Sequence, residues 1–225
     1  MNLDLDKLLH AVTYYLSYQE KIGRAFMINE SSLKYPVADY LTSLEMPLKN
    51  IKLEYSHPEL KKRQIDLITI DSSLQVKYAF EFKVARPTTR NDVEQKRIFN
   101  DLMRLYLLKK STCYFIIAGK FSDFIQNFRS IVSSKPTTNS NTDLPIPQGF
   151  YSEWFEFKVN GVKTFDVKNT SKQDYKQIYQ AFVDDYKPKG NVLDLPDKIS
   201  TKCVAISALS REFPTPYVGG IWKIQ

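Results

Sequence analysis

Three charged residues lie at a spacing that can do chemistry: Asp66, in the run Arg63-Gln64-Ile65-Asp66, and Glu81 and Lys83, in Glu81-Phe82-Lys83. Residues two apart on a β-strand point to the same face, so Glu81 and Lys83 project side by side, and a hairpin partner can set Asp66 beside them. Two carboxylates and the Phe82 carbonyl are all hard oxygen donors. They suit a cation such as Mg²⁺, which binds one or two carboxylates and keeps several of its waters. Such an ion would neutralise charge on a phosphate and lower the pKa of a water, while Lys83 orients that water or stabilises a pentavalent transition state. Hydrolysis of a phosphodiester is the chemistry this set points to.

Other chemistries find less material. His10 and His57 are the only histidines and Cys113 and Cys203 the only cysteines, so zinc-ligand spacings are absent and a histidine-based triad is hard to build. Both cysteines sit in apolar, strand-like runs, where a thiol behaves as a small hydrophobe. No glycine-rich phosphate loop and no internal repeat is present.

The elements that must position the charged set follow from periodicity. Leu5, Leu8, Leu9, Val12, Tyr15 and Leu16 predict an amphipathic helix over about 3–21. Asn29 to Ser32 offers N-cap chemistry for a second helix through Leu33, Val37, Tyr40, Leu41 and Leu44, with Pro36 tolerable only near its first turn or at a kink. Strands are expected over 49–55, 64–71 and 75–84, with a turn at Asp71-Ser72-Ser73. Glu94 stands three residues after Asn91, as in a capping box, and opens a helix to about Lys110; the apolar run 112–118 then reads as a strand buried on both faces. Beyond it come a helix over 121–132, a polar and flexible loop over 133–149, a strand over 154–159 and a hairpin turn at Asn160-Gly161. A strand over 163–167, a helix over 172–186, and strands over 202–209 and 221–224 end the chain.

The order helix, strand, strand, strand, helix, strand from about Glu30 to Ala118, with Arg63 to Asp66 and Glu81 to Lys83 at the motif positions, resembles the αβββαβ core of the PD-(D/E)xK, or restriction-endonuclease-like, nuclease superfamily. The resemblance implies an α/β fold with a central mixed sheet flanked by helices. It implies one domain over 1–225, with the nuclease-like core at about 30–118 and a C-terminal α/β extension from about 121 that no motif assigns. It further implies a nuclease dependent on Mg²⁺ or Mn²⁺, with Glu30, Asp66, Glu81 and Lys83 as the catalytic set and Asp66, Glu81 and the Phe82 carbonyl holding the metal. Glu30 matches the glutamate that an upstream helix contributes, with Glu20 as its stand-in, and it would hold a water of the ion or a second ion. Gln95 falls in the helix after Glu-x-Lys, where several relatives carry a site glutamine. DNA rather than RNA as substrate, and a role in restriction or defence, come from the same resemblance. Ile65 stands where the superfamily's name has proline.

Structural readings compete with these. Val76, Tyr78, Phe80, Phe82 and Val84 alternate with Gln75, Lys77, Ala79, Glu81 and Lys83, so the last two would also fit the wet face of a one-sided strand. Asp66 shares parity with Ile68 and Ile70, and a carboxylate in line with buried positions is costly unless a cation or donors compensate it. Asp143 with Glu156-Phe157-Lys158 repeats the pattern at nearly the same spacing; it is set aside because Asp143 lies in the polar loop and Lys158 leads into the Asn160-Gly161 turn. Asp101 and Arg104, three apart on a helix, read as a structural pair. The chain could also be an inactive relative that binds nucleic acid, or a protein-interaction module.

Composition sets the frame: 43% apolar and 25% charged residues are an ordinary globular balance, enough for a core in 225 residues. The formal charge is +7, and Lys49 to Lys110 alone holds 14 lysines and arginines against 8 acids, an excess of six. Lys61, Lys62, Arg63, Arg86, Arg90, Lys96 and Arg97 fall near the proposed active edge and are candidates to neutralise nucleic-acid phosphates, with a solvated surface as the plain alternative. Tyr151, Trp154, Phe155, Tyr175, Tyr179, Tyr217 and Trp222 make the C-terminal part aromatic, for core packing or for base stacking. No apolar run has the length of a membrane span and the N-terminus lacks the order of a signal peptide, so a cytoplasmic protein is expected. No heptad announces a dimer, and the oligomeric state is open.

Overall fold

The computed structural model describes residues 3–86, 91–128, 150–168, 173–186, 195–207 and 216–225. The expected loop over 133–149, the end of the helix expected over 121–132, and Arg90 lie outside the described residues.

Helix α1 (Leu5–Lys21) begins at Asp4, whose side chain accepts the Lys7 N–H, and buries Leu8, Leu9, Val12 and Leu16. A 3₁₀ turn at Glu30–Leu33 leads into α2 (Lys34–Ser43). Asn29 and Ser32 cap that turn reciprocally, and Pro36 falls in the first turn of α2, where no intrahelical N–H is missed. Three strands follow, β1 (Ile51–Ser56), β2 (Gln64–Ile70) and β3 (Val76–Ala85), then α3 (Asn91–Tyr106) and β4 (Thr112–Lys120). Asp71 closes the β2–β3 turn by accepting the N–H groups of Ser73 and Gln75. After β4 come α4 (Phe121–Asn127), β5 (Val162–Asp166), α5 (Gln173–Asp185), β6 (Lys198–Ile206) and β7 (Tyr217–Ile224).

The strands form one seven-stranded mixed sheet in the order β1-β2-β3-β4-β7-β6-β5. Among the described strands only β3 and β4 pair in parallel, which is why a helix, α3, must connect them. One apolar layer joins α1 and α2 to one face through Leu16, Val37, Leu67, Phe80 and Phe82. The other joins α3, α4 and α5 to the opposite face through Phe99, Leu102, Phe115, Phe124, Phe182 and Trp222.

Three expectations for the C-terminal part do not hold. Residues 154–159 form no strand: Trp154 and Phe155 are consecutive and both buried, which a pleated strand cannot do on one face, and the Glu156 carbonyl accepts the Trp222 indole N–H. The Asn160-Gly161 turn therefore joins no hairpin; it docks on β6, where Asn160 N–H donates to the Cys203 carbonyl and Cys203 N–H to Gly161. The last strand is longer than expected, because Gly219 and Gly220 belong to it, and it lies inside the sheet between β4 and β6. A Cβ at Gly219 would stand 2.8 Å from the Ile117 carbonyl oxygen, and one at Gly220 2.5 Å from the Trp222 ring.

The aromatic residues of this part are core. Tyr151, Trp154, Phe155, Tyr217 and Trp222 are all buried, and Tyr179 packs partly buried against the same cluster; the side chain of Tyr175 is outside the described residues. Cys113 and Cys203 are free and buried. Among the described residues no helix is long and apolar enough to cross a membrane.

Candidate active site

The β2–β3 ladder runs from Ile70–Val76 to Leu67–Phe80 and stops there. Where the strands part, the Asp66 side chain takes over from the missing backbone, its Oδ2 accepting the Phe82 N–H at 3.1 Å. A strand residue presents its N–H and C=O to the same neighbour, so the Phe82 carbonyl faces this gap as well. Asp66 is 22% exposed, and its second oxygen meets the Lys34 ammonium at 3.1 Å. The cation and donor that a carboxylate at this parity requires are thus both present.

Glu81 and Lys83 are not the wet face of β3. They are 1% and 5% exposed, because α3, crossing from β3 to β4, covers them. Asp101 and Arg104 on α3 supply the partners. The Arg104 guanidinium donates to Glu81 Oε1 at 3.0 Å and also to Asp101, while the Lys83 ammonium lies 2.9 Å from Asp101 Oδ2 and 3.1 Å from Glu30 Oε2. His57, fully buried, fixes the helix end: its Nδ1 accepts the N–H groups of Glu59 and Leu60, so its Nε2 carries the proton and donates to the Arg104 carbonyl at 2.9 Å. Glu30 opens the 3₁₀ turn before α2, and its side chain stays 44% exposed at the rim.

The electrostatics follow from this burial. Burial pushes the Glu81 carboxyl well above the usual carboxylate range; Arg104 opposes the shift, and the nearby charges of Asp101 and Asp66 add to it. Burial also raises Glu30, against the pull of Lys83. Desolvation alone would lower Lys83, but Asp101 and Glu30 outweigh it and keep the ammonium protonated well beyond its ordinary range. Arg104 is held charged in the same way by Asp101 and Glu81. Counting Lys34 with its partners Asp66 and Glu54, five carboxylates face three cations, a formal charge of −2.

No family model, characterised protein or solved structure matches this chain.

The structure brings Glu30, Asp66, Glu81 and Lys83 to one end of β3. Among the described residues, no three acidic, histidine or cysteine side chains gather so as to hold a metal ion. A site for Mg²⁺ needs fewer: one or two carboxylates suffice when the ion keeps its waters. Asp66, Glu81 and the Phe82 carbonyl are oxygen donors of the right hardness in a cluster two charges negative, so the donor set fits a hard divalent cation. The cations set against those two carboxylates here are Lys34 and Arg104.

The remaining candidates divide. Lys61 and Lys62 are exposed beside β2. Arg63 instead stacks 4.0 Å over the Tyr186 ring and donates to the Asp185 carbonyl at 3.4 Å. Arg86, past the end of β3, donates to the Ile28 carbonyl, Lys96 pairs with Asp185 at 3.4 Å and Arg97 with Glu94 at 2.7 Å. Gln95 is half-buried on α3; it is Glu94, one residue earlier, whose charge reaches Glu30. Glu20, the stand-in for Glu30, pairs with Lys120 at the end of β4.

Sequence reasoning missed Lys34 as a site residue and took Asp101 and Arg104 only as a structural pair. The pair is real, but each member also holds one residue of the Glu-x-Lys motif. A signal existed: seven residues separate Glu94 from Asp101 and three more reach Arg104, so all three lie on one face of α3, the face opposite Glu81 and Lys83. Lys34 carried none, since a lysine opening a helix is ordinarily solvated.

Proposed function

We propose that this protein is a metal-dependent nuclease of the PD-(D/E)xK type that hydrolyses phosphodiester bonds, of DNA in preference to RNA. The observation that carries the reading is the pairing on β3: a buried Glu81 beside a buried Lys83 that is ion-paired with Asp101 and Glu30, next to the gap into which Asp66 and the Phe82 carbonyl point. A purely structural strand has little reason to bury two such groups. The element order α2-β1-β2-β3-α3-β4 supports the finer assignment of a restriction-endonuclease-like core, with α4 to β7 as its extension.

In this reading Asp66, Glu81 and the Phe82 carbonyl would hold the ion, Mg²⁺ or Mn²⁺. When bound, the ion neutralises charge on the phosphate and makes a water more acidic. Lys83, clamped by Asp101, presents its ammonium to the scissile phosphate, where charge develops in the transition state. Glu30, at the exposed rim, accepts a proton of the attacking water and orients it. Arg104 and Asp101 keep Glu81 and Lys83 in register. Exposed Lys61 and Lys62 neutralise backbone phosphates, which makes binding fall steeply with salt. Preference for DNA, and a role in restriction or defence, rest on the family resemblance.

The test is incubation of the purified protein with plasmid, single-stranded DNA and RNA, in Mg²⁺ or Mn²⁺ and in EDTA. Metal-dependent products are expected from the wild type and none from a folded Asp66→Asn variant; cleavage that survives this change refutes the assignment. One observation favours a second reading. Lys34 and Arg104 already neutralise the two metal-facing carboxylates, as in a nuclease-like domain that only binds nucleic acid. Salt-sensitive binding without cleavage of any substrate would select it, and neither binding nor cleavage would favour a protein partner.

A further inference from the structure

Asp66 faces a second carboxylate across the edge of the sheet. Strands β1 and β2 pair at Leu53–Leu67 and at Tyr55–Ile65, and Glu54 and Asp66 lie between those two pairs, one on each strand. Like charges opposite each other on antiparallel strands repel. Glu54 also has φ 49°, in the left-handed region that residues with a side chain rarely adopt. Such a conformation persists only where the surroundings over-determine it. The side chain at this position is held by the Lys34 ammonium, on a residue 4% exposed, which pairs with Glu54 and, at 3.1 Å, with Asp66 Oδ1.

We propose that Lys34 is a built-in competitor for the cation at Asp66, and that Glu54 is the carboxylate that retains it when Asp66 turns to a divalent ion. The proposal rests on the reading of Asp66 as a metal-binding carboxylate. An ion approaching Asp66 meets a positive charge 3.1 Å from the oxygen it would use. Because Glu54 pairs with the same ammonium, Lys34 can release Asp66 without becoming an unpaired buried charge. Metal affinity is then set by Lys34 as well as by the carboxylates. The protein without metal is stable with its site closed by its own side chain.

The experiment is titration of the full chain with Mn²⁺ alone, by calorimetry and by the electron paramagnetic resonance of free Mn²⁺, with folding checked by circular dichroism. Asp66→Asn locates the binding. Lys34→Met is expected to bind Mn²⁺ about tenfold or more tightly than the wild type. Lys34→Met combined with Glu54→Gln keeps the formal charge of the wild type and is expected to retain a tightening of roughly threefold or more. A folded double variant with wild-type affinity overturns the proposal and reduces Lys34 to a neutralising charge. Failure of both variants to fold also overturns it, by assigning Lys34 to stability. If the wild type shows no Asp66-dependent Mn²⁺ binding, the metal reading and this inference fall together. An unchanged affinity in a protein that does bind removes this inference alone.

Discussion

The chain spells Glu-Phe-Lys twice, and the two copies have different fates. Glu81-Phe82-Lys83 runs along β3, one strand from the middle of the sheet, with both charged side chains buried under α3 and tied to Arg104, Asp101 and Glu30. Glu156-Phe157-Lys158 lies in irregular chain before β5: Lys158 is exposed, Phe157 packs on Phe124 and Phe128, and Glu156 contributes its backbone carbonyl to Trp222. The two triplets hold the same residue types at the same spacing. What separates them is the strand, which puts the acid and the lysine on one face, and the crossover helix, which removes that face from water. Chemistry is carried by the arrangement, and three letters alone carry none.

The comparison is broken most directly by swapping which lysine is lost. Lys83→Ala should lower metal-dependent cleavage by on the order of 10³-fold, the scale of removing one preorganised donor to a charged transition state. Lys158→Ala should leave the rate unchanged. Initial rates on a supercoiled plasmid at saturating Mn²⁺ compare the two. Equal losses would show that the site does not reside on β3.

How much of this was legible in the sequence depends on which interactions decide each region. From Glu30 to Ala118 the β3 sequence alternates, β4 is a continuous apolar run, the β2–β3 turn carries Asp71 and a capping box opens the 3₁₀ turn before α2, so local chemistry and tertiary structure agree and the elements fall close to where they are expected. After β4 the agreement ends. Trp154 and Phe155 look like strand residues, but Phe155 is drawn onto the Trp222 ring and Trp154 onto Phe99 and Phe165, decisions made by tertiary packing. Gly219 and Gly220, just before the strand expected over 221–224, are required where β7 lies against Ile117 and the Trp222 ring. At the site, Glu81, Lys83 and Asp66 were visible through their spacing. Lys34 and the second role of Asp101 and Arg104 were not, because they are partners supplied by packing. The basic residues near the site were visible as charge but not by role, since Arg63, Arg86, Lys96 and Arg97 are engaged with protein groups.

The networks around the two triplets should also differ in what they do for stability. Removing Arg104 leaves Glu81 buried with no cation of its own, and breaking a buried pair from one side is costly. Arg104→Met should destabilise the protein by about 3 kcal/mol at pH 8, measured by urea unfolding. Glu156→Gln, at a half-buried side chain of the second triplet, should stay within about 0.5 kcal/mol. A cost below 1 kcal/mol for Arg104→Met would mean that water or Lys83 already compensates Glu81.

The smallest effect has the opposite sign, and it follows from the excess of carboxylates over cations in the cluster. Burial, with the charges of Asp101 and Asp66, raises the Glu81 carboxyl despite Arg104, so the folded state binds that proton more tightly than the unfolded chain does. The stability this gives is fully present below the ordinary glutamate range and is lost as pH rises through the raised value. Glu81→Gln has nothing to lose over that interval, and its amide keeps a side-chain oxygen that can accept from Arg104. The variant should match the wild type near pH 4 and become more stable towards pH 8, by about 1 kcal/mol or a melting temperature about 2–4 °C higher, while cleavage disappears. Thermal unfolding across that range checks the slope. A variant less stable than the wild type at pH 8 would mean that the Arg104 pairing outweighs the repulsion of its neighbours, and that Glu81 is held for structure as much as for chemistry.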